Sequence, residues 1–222
     1  MYEAKVARAQ APQFEEREFF EYHIYDLDRR TTIKDRQTKQ IRLIEADGVA
    51  VGKELLVRGS TPYYVRPYRP RKPTVPVEVT INFQNAEENR LGMPLPAGVM
   101  RLYKEDVDGT EQFAGEDRIE HTPKDEKVSL KVGEAFDVVA ERVQTSYREI
   151  STRLHESEWE ITVRNHKEKE VSVGIVEPLI GNWKVVSHSA PYEKVDAFTL
   201  RFDVRVPAGG EETVTYKVQV GL

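Results

Sequence analysis

The sequence predicts an all-β protein of tandem antiparallel β-sandwiches, immunoglobulin-like or fibronectin-like, with little or no helix. Three observations predict it. Apolar residues recur at every second position through run after run; helical spacing never holds for three turns; glycine, proline and asparagine punctuate the runs.

The chain starts polar, with Pro12 and several glutamates, and residues 1–18 read as a leader or the end of a linker. From Phe19, strand succeeds strand. Phe20, Tyr22 and Ile24 alternate with Phe19, His23 and Tyr25, which places His23 in a packed, hydrogen-bonded position. Runs at 40–44, 49–51 and 55–57 come next, set off by Gly48, Gly52 and Gly59 as turn residues. Val75, Val77, Val79, Ile81 and Phe83 then occupy alternate positions with polar residues mostly between them, the pattern of a half-buried antiparallel strand. The same period returns at Ile161-Val163, Val171-Val173-Ile175, Phe198 to Val206 and Val214 to Val220. Only Glu134–Ser151 has room for a short helix, and Val138, Val139, Thr145 and Tyr147 suit a strand better.

A length of 222 residues accommodates two domains of about 100 residues each. Three pairs of segments match in the same order: 80–87 with 161–168, 96–103 with 179–186, and Pro123 leading into 127–132 with Pro207 leading into 213–218. A duplication explains the matches, and so does the general similarity of alternating strands. On the first reading the boundary falls near Gly133, with one sandwich at 19–133 and an immunoglobulin-like one at 134–222.

Composition excludes several function classes. With no cysteine there are no disulfides, thiolate metal sites or cysteine nucleophiles. A net charge of −5 argues against a protein that coats nucleic acid. No apolar run reaches the roughly 18 residues of a membrane span, and the first residues lack the apolar stretch of a signal peptide.

Catalytic motifs are missing as well. The five histidines form no HxH or HExxH spacing, and His166 follows Asn165 in a predicted solvated turn. There is no GxSxG or SxxK, and Ala208-Gly209-Gly210 precedes a strand rather than opening a helix over a phosphate. Asp106-Val107-Asp108-Gly109 lacks the later ligands of a calcium loop and reads as a hairpin turn. The expectation is therefore no catalytic, cofactor or metal site. Glu116, Asp117 and His121 cluster locally and are where a hydrolase or metal-dependent enzyme would begin, as an alternative; a structural spacer is another.

One segment departs from the rest. Residues 61–73, TPYYVRPYRPRKP, hold three tyrosines, four cations and four prolines with no acid. The prolines keep it extended and out of a central strand. Tyrosines beside arginines can stack on sugars or a partner's rings while the cations attract anionic groups. Tyr63, Tyr64, Arg66, Tyr68 and Arg69 are the expected contacts to a protein or glycan partner. The plainer reading is a connecting loop whose tyrosines fold back on the sandwich. The apolar connection 89–98 is expected to plug the open end of the first sandwich with Leu91, Met93 and Leu95.

Several segments together resemble the bacterial domain family of unknown function numbered 4139: EYHIYDLDRRTTIK at 21–34, TKQ at 38–40, LGMPLPAG at 91–98, GEDRIEHTPKD at 115–125, GEAFDV at 133–138 and RNHK at 164–167. The resemblance runs from about Phe19 to the end. It implies the C-terminal part of a longer exported protein, periplasmic or otherwise in the cell envelope, starting here at an introduced Met1. It implies no activity and no catalytic residues. Arg29-Arg30 stands where members often have Arg-Pro before Thr-Thr.

Overall fold

The computed structural model describes residues 14–27, 30–39, 43–44 and 46–222. Strand β1 (Phe14–Phe19) pairs antiparallel with β2 (Tyr22–Leu27). The expected leader therefore ends earlier than residue 18. Phe20 takes a positive φ of 56° in the connecting turn, and that conformation lets the charged Phe14–Phe19 stretch fold back onto β2. His23 on β2 is exposed and not buried. Residues 1–13 of the leader and 40–42 of the predicted 40–44 run lie outside the described residues.

The body of the molecule is two sheets. One has six strands in the order β13-β14-β11-β3-β5-β8: Tyr192–Asp196, Thr199–Val206, Val171–Pro178, Gly52–Arg58, Glu78–Gln84 and Lys127–Glu134. The other has five in the order β12-β15-β10-β9-β4: Asn182–His188, Glu211–Gly221, Leu154–Asn165, Val138–Ser151 and Thr74–Val75. A further hairpin joins β6 (Gly98–Glu105) to β7 (Glu111–Ile119). Among the described residues helix is confined to two 3-10 turns, and none is long and apolar enough to cross a membrane.

The boundary at Gly133 does not separate these sheets. Strands from before it (β3, β5, β8) and after it (β11, β14, β13) form one hydrogen-bonded sheet. The seam is the one parallel pairing among the described strands, Leu55 opposite Val173 through Arg58 opposite Val176. Alternation marks which face of a strand is buried; it carries no information about which strand lies alongside. Two tandem sandwiches and one sandwich shared by both halves produce the same pattern.

The predicted 75–83 strand shows the same limit. Its alternation holds, but the chain changes sheets within it. Val75 pairs with Ala140 in the five-stranded sheet, whereas Val79 pairs with Leu55 in the six-stranded one. Pro76, which has no N–H to give a ladder, sits at the step.

The inner faces enclose a core in which Trp159, Ile161, Ile175, Leu200, Phe202, Val214 and Val218 have almost no solvent contact. A second cluster of Phe83, Leu95, Val128 and Leu130 continues along β5 and β8, with Leu91, Met100, Leu102 and Ile119 packed on it. Leu95 is part of this cluster and Leu91 packs against it, while Met93 is 37% exposed. Gly115 lets β7 lie against β8: a Cβ there would fall on the Val132 carbonyl.

Two of the matched segments play matching parts. Asn85 directly follows β5 and is buried, its Nδ2 donating to Met93 O and Pro123 O at 2.8 Å each. Asn165 ends β10 and is buried, its Nδ2 reaching Lys169 O at 2.9 Å, Val206 O at 3.1 Å and Pro207 O at 2.9 Å. Each asparagine pins the turn that leads into its own strand's neighbour, β8 for β5 and β15 for β10.

Candidate functional site

The Tyr/Arg/Pro segment is the connection by which the chain leaves β3 in one sheet and enters β4 in the other. Gly59 begins it, its N–H donating to Val176 O at 2.8 Å. A Cβ at Gly59 would collide with Glu177 Oε2, so glycine is what allows the carboxylate in. Pro62 sits in the first turn of the 3-10 helix Thr61–Tyr64, where its missing N–H costs nothing.

That turn drives Tyr64 into the core. Its Oη donates to Glu177 Oε2 and accepts from Tyr216 Oη at 3.0 Å. Glu177, on β11, also receives Arg142 Nη2 from β9 at 2.7 Å, and neither side chain of this ion pair touches solvent. The guanidinium lies 5.5 Å from the Tyr63 ring centroid and 5.6 Å from that of Trp159. Its Nε and Nη1 have no hydrogen-bond partner among the described residues. Burial, and next the Glu177 charge, push the Tyr64 and Tyr216 phenols well above the ordinary tyrosine range. Burial, the largest single influence, would lower the Arg142 value; the Glu177 carboxylate together with Tyr216 and Tyr64 outweighs it, and the net shift is upward.

The rest of the connection is tied to β9 and β10. The Tyr63 and Tyr68 rings meet at 4.3 Å, and each contacts Trp159. Gln144 accepts from Tyr68 N at 2.8 Å and donates to Tyr63 O at 3.0 Å and Arg66 O at 3.3 Å. Tyr147 Oη donates to Val65 O at 2.9 Å and lies 2.8 Å from His155 Nδ1, which then serves as donor.

The five predicted contact residues therefore divide. Tyr64 is a core residue with 0% exposure and is unavailable to any partner. Tyr63 and Tyr68 are half-buried against Trp159. The reason is the inward Glu177 and Arg142, which give tyrosine hydroxyls and ring faces something to dock on. Arg66 and Arg69 are exposed, as are Arg71 and Lys72, and none of the four has a carboxylate partner among the described residues. Beside them Pro67, Tyr68 and Arg69 face Gln144, Thr145, Ser146 and Tyr147 across a groove of about 200 Å³.

The alternative cluster does not converge. Glu116 pairs with Arg101 at 2.9 Å, Asp117 accepts the Lys131 N–H at 2.7 Å, and His121 Nδ1 accepts from Ala97 N at 3.3 Å. Asp108 Oδ1 is occupied by Thr110 N and Oγ1, closing the hairpin turn before β7. Among the described residues no three His, Asp or Glu side chains gather as a metal would require.

Sequence reasoning missed the Arg142–Glu177 pair, although a signal was present. Arg142 follows Val138 and Ala140 at inward parity on β9, and Glu177 follows Val173 and Ile175 at inward parity on β11. Compared with protein-family models, with curated proteins and with solved structures, the chain finds no match.

Proposed function

We propose that this chain is a non-enzymatic β-sandwich interaction module of a larger exported bacterial protein, binding protein or glycan in the cell envelope. The 4139-family resemblance supplies the setting. The observation that carries the reading is the state of Arg66, Arg69, Arg71 and Lys72: four exposed cations without carboxylate partners among the described residues, on a connection clamped from beneath by Tyr64, Glu177 and Gln144. A rigid backbone lowers the ordering cost of binding, and exposed guanidinium groups give direction to an anionic contact.

The test is retention on a purified bacterial envelope fraction. The chain is compared with Arg66→Ser, Arg69→Ser, Arg71→Ser and Lys72→Ser combined, at rising salt. Salt-sensitive retention of the unaltered chain alone is the expected result. Equal retention of both overturns the reading, and retention of neither favours a spacer.

A further inference from the structure

We propose that the groove between Tyr68-Arg69 and Thr145-Ser146 is a subsite for a carboxylate-bearing sugar residue, of the uronic acid class. This rests on the reading of the chain as an interaction module and names its ligand.

The walls are fixed before any ligand arrives. Gln144 is engaged through both ends of its amide, and Tyr147 Oη is held by Val65 and His155. The Tyr68 ring is braced by Tyr63 and Trp159. What remains uncommitted among the described residues is the Arg69 guanidinium and the Thr145 and Ser146 hydroxyls, all on exposed residues lining the groove. Arg69 is suited to a carboxylate by its paired N–H donors. Hydroxyls that donate and accept suit the ring hydroxyls of a sugar, and Tyr68 offers an apolar surface to its C–H groups. A groove of about 200 Å³ is smaller than the pockets that enclose drug-sized ligands, which limits an occupant to about the size of one ring.

An acidic peptide adding itself as a strand beside this groove would use the open edge of β9, because β4 pairs β9 only at Glu141 and Ala140. The edge beyond is irregular. Thr145 and Ile150 are extra residues in the pairing of β9 with β10, where the register skips. Bulges of this kind twist an edge away from a new strand. The sugar is therefore the occupant the geometry favours.

The experiment is amide chemical-shift titration of the full chain with glucuronate, with glucose, with acetate and with a pentaglutamate peptide. Variants are Arg69→Ala, Ser146→Ala and, as control, Arg205→Ala at an exposed position on β14. Glucuronate is expected to shift residues 66–69 and 144–147. Affinity falls roughly tenfold or more for glucose and acetate, and for glucuronate with Arg69→Ala. Arg205→Ala leaves it unchanged. Glucose binding as well as glucuronate, insensitivity to Arg69→Ala, or tighter binding of pentaglutamate overturns the sugar assignment. If glucuronate fails while envelope retention still depends on the four cations, the subsite is wrong and the interaction module stands. If both fail, both are withdrawn.

Discussion

Arg142 and Glu177 join the two sheets inside the core, Nη2 to Oε1 at 2.7 Å, with both side chains at 0% exposure. Bringing two charges out of water consumes most of what their attraction returns, so the pair is a poor source of net stability. Its members are nonetheless interdependent. Glu177→Leu alone strands a buried guanidinium and takes away the acceptor of the Tyr64 hydroxyl, and Arg142→Met alone strands a buried carboxylate. Each single change is expected to cost about 3–5 kcal/mol, while the double change costs much less than the sum. Urea unfolding of the four proteins measures the cycle, and additive costs would show that the pair is not coupled.

The same cluster sets an alkaline limit. Tyr64 and Tyr216 hold their protons more tightly folded than unfolded, because burial and Glu177 oppose the phenolate. Their contribution is complete below the ordinary tyrosine value of 10.0 and disappears as pH rises beyond it. Thermal midpoints between about pH 9 and about pH 12 are expected to fall more steeply than they do for Tyr64→Phe, which has one fewer such proton to lose. Tyrosinate absorbance should show these two rings ionising only as the protein unfolds. Early ionisation of both would contradict their burial.

Asn85 and Asn165 give a second stability test. Each amide satisfies carbonyl oxygens of a turn beside its strand, including Pro123 O for one and Pro207 O for the other. Replacement by alanine leaves those carbonyls without donors, at a cost of about 1–3 kcal/mol each. The two sites share no partner, so the double variant is expected to be additive within about 0.5 kcal/mol. A near-zero effect at either would mean that water replaces the amide there.

Strand positions were legible because burial alternates within a strand, a local property. Val173 and Ile175 or Phe202 and Val204 reveal an inner face without knowledge of any neighbour. Pairing was not legible, since Leu55 meets Val173 only after more than a hundred intervening residues have folded. The connection at 61–73 stood out by charge and proline content, but its orientation did not. Tyr64 turns inward for Glu177, which lies 113 residues further along the chain. Parity alone would have placed Arg142 and Glu177 in the core and so assigned the tyrosines to packing.

The two sides of that connection should separate in a single experiment. Arg66, Arg69, Arg71 and Lys72 are exposed and have no carboxylate partner among the described residues, so changing all four to serine is expected to move stability by no more than about 0.5 kcal/mol per site. Tyr64→Ala removes a fully buried ring and two hydrogen bonds around Glu177, with an expected loss of about 3–5 kcal/mol. Tyr68→Ala lies between, because its ring is half-buried on Tyr63 and Trp159. Thermal melts at neutral pH rank the three. If the four-serine variant melts as low as Tyr64→Ala, the cations support the fold, and loss of binding in that variant would say nothing about recognition.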